Sequence, residues 1–265
     1  VPSVATNNRM VLKPSEKVPF SAILLADFLY EAGLPPEMLS VITGDPREIA
    51  DELLTNDHVD LITFTGGVAI GKYIANKAGY RRMVLELGGN DPIIVMEDAD
   101  IDEASTLAVQ GSYKNSGQRC TAIKRMLVHE SVADAFTEQI VAKTNAWSYG
   151  DPADPKVEMG TVIDEAAAQL FENRVNEAVA QGARLLVGNE RRGALYSPTV
   201  IDHVDPAMTV VREETFGPVS PIIRFRNIDE AIRISNGTAY GLSSAICTNR
   251  LDYITRFVGE LDVGT

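Results

Sequence analysis

The 265-residue sequence contains only two cysteines, Cys120 and Cys247. Two cysteines give no disulfide framework, and so low a count is typical of a reducing cytosol. The three histidines, His58, His129 and His203, are scattered and have no metal-binding spacing with the cysteines. We therefore expect a cytoplasmic protein, interpret the histidines as structural and predict no metal site.

Long apolar runs and an excess of basic residues are also absent. No apolar segment is long enough to cross a bilayer, and the first residues show no signal-peptide pattern. The formal net charge of −13 repels nucleic acids and anionic membranes. Neither is an expected partner, and an anionic substrate would need a local cation to hold it.

Short apolar runs instead alternate with helical patterns, without repeats or low-complexity tracts. This alternation predicts an α/β protein with a parallel, doubly wound, Rossmann-like sheet, in which ligands bind outside the carboxyl ends of the strands. The pair Gly88-Gly89 interrupts the pattern and predicts a domain boundary. Strands are predicted at 10–12, 39–43, 61–64, 83–87, 92–96, 126–128, 199–201 and 219–226, and helices at 21–33, 48–54, 68–78, 101–116, 132–147, 165–181 and 228–235.

Cys120 is the first candidate for chemistry, within the segment NSGQRCTA at 115–122. Gly117 allows the tight backbone that a reactive thiol often needs, and the adjacent Arg119 is a cation that favours the thiolate. A buried structural cysteine is the alternative, because free cysteine is among the most buried residue types.

Two acidic segments are further candidates. Glu86 ends a predicted strand among apolar residues, where a carboxylate is costly unless paired or protonated, so it is a candidate general base. The alternative is an exposed glutamate at a strand end. Glu213 and Glu214 precede an aromatic turn at 215–218, but sequence neighbours rarely point the same way, which argues against paired acid–base work or metal binding.

Two strand-to-helix or strand-to-turn segments suggest nucleotide binding. The segment FTGG at 64–67 would place bare N–H groups at a helix N-terminus, where they can hold a pyrophosphate. The segment KPSE at 13–16 places Glu16 after a strand, where a carboxylate can take both ribose hydroxyls and repel a 2′-phosphate. A glycine turn and a solvated turn are the respective alternatives.

Together these segments resemble the aldehyde dehydrogenase superfamily. The similarity covers nearly the whole chain from about Asn8, and the spacing between Glu86 and Cys120 also agrees. The matching segments are KPSE at 13–16, FTGG at 64–67, LELGGNDP at 85–92, GQRC at 117–120, EETFGP at 213–218 and SNGTAYGLS at 235–243.

The resemblance implies that Cys120 is the nucleophile and that Glu86 activates the deacylating water. It implies that Glu214 holds the nicotinamide ribose of NAD, with Phe216 beside the ring. Residues 1–88 would then form a partial NAD-binding domain, and residues 89–265 the catalytic thiol domain. The expected cofactor-binding residues are Lys13, Ser15, Glu16, Gly44, Phe64, Thr65, Gly66, Gly67, Leu87, Glu214 and Phe216.

The chain departs from the family pattern in several ways. Gly67 stands where many members have serine. The chain begins at Val1 after the region that carries the family's oxyanion-stabilising asparagine, and it ends before the terminal strand used in oligomer assembly. We therefore expect an internal fragment of a longer enzyme, which would be a homodimer or homotetramer.

The resemblance also suggests a substrate. Glu86 favours hydrolysis over transfer to CoA, because the acyl-CoA-forming relatives usually lack it. Arg119, in GQRCTAIKR at 117–125, resembles the branch that handles phosphate- or phosphonate-bearing aldehydes, and a guanidinium suits such an anion. Glu16 favours NAD over NADP, so we expect oxidation of phosphonoacetaldehyde to phosphonoacetate.

Alternatives to this substrate remain open. Non-phosphorylating glyceraldehyde-3-phosphate dehydrogenases and lactaldehyde-type dehydrogenases are the nearest enzymatic ones. A non-catalytic relative or an inactive fragment is the alternative of another class, although non-catalytic relatives tend to lose the cysteine or the glutamate, and both are present here.

Overall fold

The computed structural model describes residues 2–265 and divides the chain into two compact units, which meet in sequence between Leu87 and Gly88. This division lies next to the sequence-predicted boundary at Gly88-Gly89. Within the described residues no helix is both long enough and apolar enough to cross a membrane.

The first unit alternates strands and helices, as predicted, and its strands form two separate parallel pairs, β1 with β2 and β3 with β4. A 3-10 helix at Pro36–Met38 precedes β2. The elements are α1 Pro2–Ala5, β1 Met10–Leu12, α2 Phe20–Glu31, β2 Leu39–Val41, α3 Pro46–Thr55, β3 Leu61–Thr65, α4 Val68–Lys77 and β4 Arg82–Glu86.

Local signals explain the helix ends of this unit. Helix α2 ends where Gly33 adopts a φ of +94°, and the N–H groups of Gly33 and Leu34 donate to the carbonyls of Tyr30 and Leu29. This is a glycine-dependent C-terminal motif, and it lies at the end of the helix predicted at 21–33. Helix α3 begins at Asp45, whose side chain accepts a hydrogen bond from the backbone N–H of Arg47.

The second unit is built on a six-stranded sheet in the order β12-β5-β6-β11-β10-β7, in which only β7 is antiparallel to its neighbour. A short antiparallel pair, β8 with β9, lies outside it. The elements are β5 Asp91–Val95, α5 Ile101–Tyr113, β6 Ile123–His129, α6 Glu130–Ala146, α7 Glu165–Ala180, β7 Arg184–Val187, β8 Arg191–Arg192, β9 Leu195–Tyr196, β10 Thr199–Asp202, α8 Thr209–Arg212, β11 Val219–Phe225, α9 Ile228–Ser235, β12 Ala245–Cys247 and α10 Leu251–Glu260.

Helices cover both faces of this sheet. Ile93 packs in one hydrophobic cluster with Phe136 of α6, whereas its neighbour Ile94 packs in a second cluster with Phe171 of α7. Successive residues of a strand point to opposite faces, so a sheet covered on both sides has continuously apolar strands. The predicted doubly wound α/β architecture is confirmed for this unit.

Arg125 is a fully buried cation within this apolar sheet. Its guanidinium donates to the carbonyls of Asn90, Ile234 and Ser235, at distances from 2.6 to 3.0 Å. Burial lowers the pKa of Arg125 to about 10. Arg125 of β6 therefore holds the backbone just before β5 and the C-terminal end of α9 in place.

Several predicted boundaries were wrong. The helix predicted at 101–116 ends at Tyr113, and a 3-10 turn follows at Lys114–Gly117. The strand predicted to begin at Met126 begins at Ile123 and so includes Lys124 and Arg125. The sequence interpretation also missed several short elements and one longer helix, namely α1, β7, β8, β9, α8, β12 and α10.

Candidate active site

The segment before Cys120 has an unusual backbone. Asn115, Ser116 and Gly117 are successively left-handed, with φ values of 56°, 54° and 68°. Two non-glycine residues in a row are uncommon in this region and cost free energy that the surrounding structure must offset. Here the Ser116 hydroxyl donates to the carbonyls of Gly160 and Thr161 at 3.1 and 3.3 Å.

Glycines bring the neighbouring loops close to this segment. A side chain at Gly117 would collide with the backbone of Gly217. A side chain at Gly89 would collide with the carbonyl of Cys120, and one at Gly88 with the carboxylate of Glu214. The glycines at 89 and 117 therefore permit a backbone approach that no larger residue allows, and Gly88 leaves room for the Glu214 side chain.

The two thiols differ in their surroundings. Cys120 is exposed, whereas Cys247 is half-buried on β12. Burial, with a smaller effect from Glu103, raises the pKa of Cys247 to about 11. The structural alternative, in which Cys120 is a buried core residue, is wrong.

Glu214 lies on the loop after α8 and is held by its neighbours. Its Oε1 accepts a hydrogen bond from the backbone N–H of Gly89 at 3.1 Å. Its own carbonyl accepts one from Arg174 of α7 at 2.7 Å. Burial raises the pKa of Glu214, and two residues later Phe216 adopts a left-handed φ of 53° with its side chain partly exposed.

The sequence interpretation missed a buried cation beside these residues. The ammonium of Lys124 lies 2.6 Å from the carbonyl oxygen of Cys120 and 3.5 Å from Oε1 of Glu214. It also lies 4.0 Å from Oδ2 of Asp91, whose Oδ1 accepts a hydrogen bond from the Ser243 N–H. Two adjacent cations inside an otherwise apolar strand were the signal that could have identified this cluster.

Arg119, the predicted substrate ligand, turns its side chain toward α5. Its Nη2 donates to the carbonyl of Gly111 at 2.7 Å. Its Nε is buried and has no hydrogen-bond partner within residues 2–265. Within residues 2–265 the hydrogen-bond partner of the Arg119 guanidinium is therefore a backbone carbonyl of α5 and not a carboxylate.

In the first unit, the segment FTGG joins β3 to α4. Gly67 is the N-terminal cap of α4, which has no side-chain capping hydrogen bond. Gly66 donates its N–H to the carbonyl of Glu86 at 3.0 Å, and Thr65 is paired with Glu86 in the parallel register. The carboxyl ends of β3 and β4 and the free N–H groups of α4 therefore meet at one edge, where anions bind favourably.

Glu86 itself has an exposed side chain at the end of β4. The next residue, Leu87, packs over α4 so closely that a side chain at Gly71 would collide with it. Gly44 follows β2 with a φ of +149°, and a side chain there would press on Ile49.

The predicted ribose segment lies beside a surface cleft. The ammonium of Lys13 donates to the carbonyl of Pro14 at 2.8 Å and lies 3.8 Å from the Glu16 carboxylate, and the Ser15 hydroxyl accepts from the backbone. The cleft is lined by Glu16, Asp45, Pro46 and Arg47. Arg47 also forms a two-pronged ion pair with Asp45.

The structure thus groups the predicted residues within each unit. The first unit brings Gly66, Gly67 and Glu86 to one edge. The second brings the Cys120 carbonyl and the Glu214 carboxylate to the ammonium of Lys124, whereas the side chain of Arg119 is directed toward α5.

Comparisons with known proteins agree on one family. The model described as "Aldehyde dehydrogenase family" matches residues 1–265. A 3-sulfolactaldehyde dehydrogenase of Priestia megaterium is 40% identical over 263 residues, which cover 99% of this chain and 55% of that protein. A sulfoacetaldehyde dehydrogenase of Neptuniibacter caesariensis is 38% identical over 264 residues, covering 100% of this chain and 58% of that protein.

Solved structures show the same fold. The NADP complex of an NADP-dependent glyceraldehyde-3-phosphate dehydrogenase from Bacillus halodurans has a TM-score of 0.97 and 42% identity, and the match covers 100% of this chain and 55% of that one. The chain therefore spans a little more than half the length of these relatives.

Thiol reactivity provides a test of the site. We expect iodoacetamide to alkylate Cys120 at least tenfold faster than Cys247 at about pH 7, because alkylation needs an accessible thiolate and burial keeps Cys247 protonated. Time-resolved peptide mapping of the intact chain measures both rates. Urea serves as the control, since unfolding should bring the rates together, and faster labelling of Cys247 in the folded chain would contradict the assignment.

Proposed function

Because this chain belongs to the aldehyde dehydrogenase family, we propose that the protein carrying it oxidises an aldehyde to a carboxylic acid with a nicotinamide cofactor. The observation that carries the proposal is the exposed Cys120 thiol, which closely follows the left-handed backbone at 115–117 that neighbouring loops hold in place. The chain spans little more than half of its relatives, so the activity is proposed for the whole protein.

Two features of the chain fit a dinucleotide. Helix α4 begins at Gly67 without a side-chain cap, which leaves its first N–H groups free for a pyrophosphate. The Glu214 carboxylate, anchored by Gly89, offers acceptors for ribose hydroxyls. When bound, the nicotinamide ring supplies the acceptor for the hydride of the aldehyde.

The chain's own residues carry the other steps. The Cys120 thiolate adds to the aldehyde carbon and forms a carbon–sulfur bond, and loss of the hydride leaves a thioester. Glu86 then takes a proton from water, whose oxygen attacks the thioester and releases the acid and the Cys120 thiolate. The exposed side chain of Glu86 is compatible with access to water.

The deacylation step provides the main test. In the full-length protein, Glu86→Gln should retain a stoichiometric burst of reduced cofactor but lower steady-state turnover by about 100-fold, because the general base acts only after hydride transfer. Stopped-flow absorbance measures the burst. Glu37→Gln, which removes another exposed carboxylate of the first unit, is the matched control.

Loss of both the burst and the turnover in a folded Glu86→Gln protein would show that Glu86 acts earlier. If the unaltered full-length protein reduces neither NAD nor NADP with any aldehyde, the alternative of a non-catalytic relative is supported instead.

We propose NAD as the cofactor, with NADP as the second candidate. Glu16 would accept hydrogen bonds from the two ribose hydroxyls and repel a 2′-phosphate. Arg47, however, lines the same cleft with its side chain largely exposed, and a guanidinium there would favour a 2′-phosphate. The NADP complex of a related structure supports this second candidate.

Substitution of the two charges distinguishes these cofactors. Glu16→Ser should raise kcat/KM for NADP about tenfold, equivalent to about 1.4 kcal/mol, because a repulsive charge is removed. Arg47→Ala should change kcat/KM for NAD less than twofold. If the unaltered protein already uses NADP more efficiently and Arg47→Ala abolishes that preference, the assignment of NAD is wrong.

We propose that the aldehyde carries an acidic tetrahedral group, as in phosphonoacetaldehyde or a sulfonated analogue. The named activities of two relatives, on sulfolactaldehyde and sulfoacetaldehyde, support an anion of this shape. Arg119 precedes the nucleophile, and its Nε has no partner within residues 2–265. A modest turn of this side chain away from Gly111 would free a planar fork for the anion.

Arg119 provides the substrate test. In the full-length protein, Arg119→Ala should lower kcat/KM for phosphonoacetaldehyde and sulfoacetaldehyde by about 10- to 150-fold, because a charge-assisted hydrogen bond contributes about 1.5–3 kcal/mol. Propanal, which lacks the anion, should be oxidised at a nearly unchanged rate. Equal losses for all three aldehydes would show that Arg119 acts on the thiol or on the fold and not on the substrate anion. The control is Arg184→Ala, which removes an exposed arginine of the second unit.

A further inference from the structure

Lys124 occupies an unusual position at the start of β6. Its side chain is only 3% exposed, yet its ammonium contacts the carbonyls of Cys120 and Ala122 and two carboxylates, those of Glu214 and Asp91. The shortest of these contacts, 2.6 Å, is to the residue that carries the candidate nucleophile.

Burial of this ammonium needs an explanation beyond stability. A charge removed from water incurs a large desolvation penalty, and apolar residues of similar volume often stabilise a protein equally well. Burial lowers the pKa of Lys124, while Asp91, Glu214 and Cys120, in that order, favour its charged form. The groups that favour the ammonium thus include both Cys120 and the carboxylate proposed to bind the cofactor.

We propose that Lys124 is a positioning residue that ties the backbone of Cys120 to the carboxylate of Glu214 and places a positive charge beside the thiolate. This inference rests on the proposed function, because it assigns Lys124 to the same site. The ammonium contacts both the loop before β6 and the loop after α8. It would hold Cys120 and Glu214 in one relative position before the aldehyde or the cofactor binds.

Several charged groups meet around Lys124. Asp91 approaches from the start of β5 and Glu214 from the loop after α8. Arg125, the next residue of β6, interacts electrostatically with Asp91, and Arg119 adjoins Cys120 in sequence. Without Lys124, Glu214 and Asp91 would repel each other with no cation between them.

Lys124→Met tests this role, with Lys143→Met as the matched control. Lys143 is also a partly buried lysine of the second unit, but its ammonium binds Asp102, Ser105 and Thr106 of α5. The first measurement is the pH dependence of Cys120 alkylation by iodoacetamide. The second is KM for the cofactor and kcat in the full-length protein.

For Lys124→Met we expect the midpoint of the alkylation profile to rise by about one pH unit, equivalent to about tenfold slower labelling at neutral pH. KM for the cofactor should rise about tenfold, because Glu214 loses its cation. Lys143→Met should change the labelling rate at neutral pH and KM for the cofactor by less than about twofold. Circular dichroism should confirm that each variant is folded. Arg119 stays in place throughout, so its effect on the thiol cancels in the comparison.

Lys124→Gln keeps the test decisive if Lys124→Met fails to fold, because it removes the charge but retains a donor for the Cys120 carbonyl. It should shift the alkylation midpoint in the same direction. A folded Lys124→Met or Lys124→Gln protein with an unchanged midpoint and an unchanged KM would overturn the proposal. The alkylation measurement needs no turnover, so an inactive parent protein would refute the proposed function while the alkylation midpoint would still decide the role of Lys124.

Discussion

Two adjacent buried cations of β6 organise the second unit. Arg125 binds three carbonyls and fixes the chain before β5 to the end of α9. Lys124 binds the Cys120 carbonyl and lies beside Glu214. Each cation is costly to bury unless its partners are in place, so the loops that meet here are constrained together rather than one at a time.

This constraint accounts for the backbone around Cys120. Left-handed residues at 115–117 would relax to commoner conformations in an isolated loop. They are retained because Ser116 is hydrogen-bonded to Gly160 and Thr161 and because Gly117 packs directly on Gly217. The same turn ends α5 three residues earlier than the apolar pattern predicted. The exposure of Cys120 thus depends on the packing of three loops, those at 115–117, at 160–161 and around Gly217.

Much of the fold could be predicted from the sequence, because its strands and helices carry regular apolar periods and glycine stops. Strands β7, β8, β9 and β12 were missed, since a strand of two to four residues gives too short a stretch to show a period. Helix α10 could have been found, because Ile254, Phe257 and Val258 have helical spacing. Lys124 and Arg125 were left outside the predicted strand, because the apolar run that indicated it begins only at Met126.

The candidate site was harder to predict than the fold, and the reason is physical. Sequence motifs indicated Cys120, Glu86 and Glu214 as separate candidates. The Lys124 ammonium lies beside the first and the last of these because loops that are distant in sequence meet, and no local motif shows that contact. The orientation of Arg119 toward Gly111 likewise arises from packing on α5.

That orientation bears on the substrate. One nitrogen of the Arg119 guanidinium is already bound to a backbone carbonyl, and the chain as a whole carries a charge of −13. A single cation that is already partly engaged can neutralise a substrate group with one negative charge more fully than a group with two negative charges. A sulfonate carries one charge, whereas a phosphonate, like a phosphate, carries part of a second near neutral pH. Within the proposed class of anionic aldehydes, the sulfonated members therefore fit Arg119 alone, and a phosphonate would need a second cation beside it.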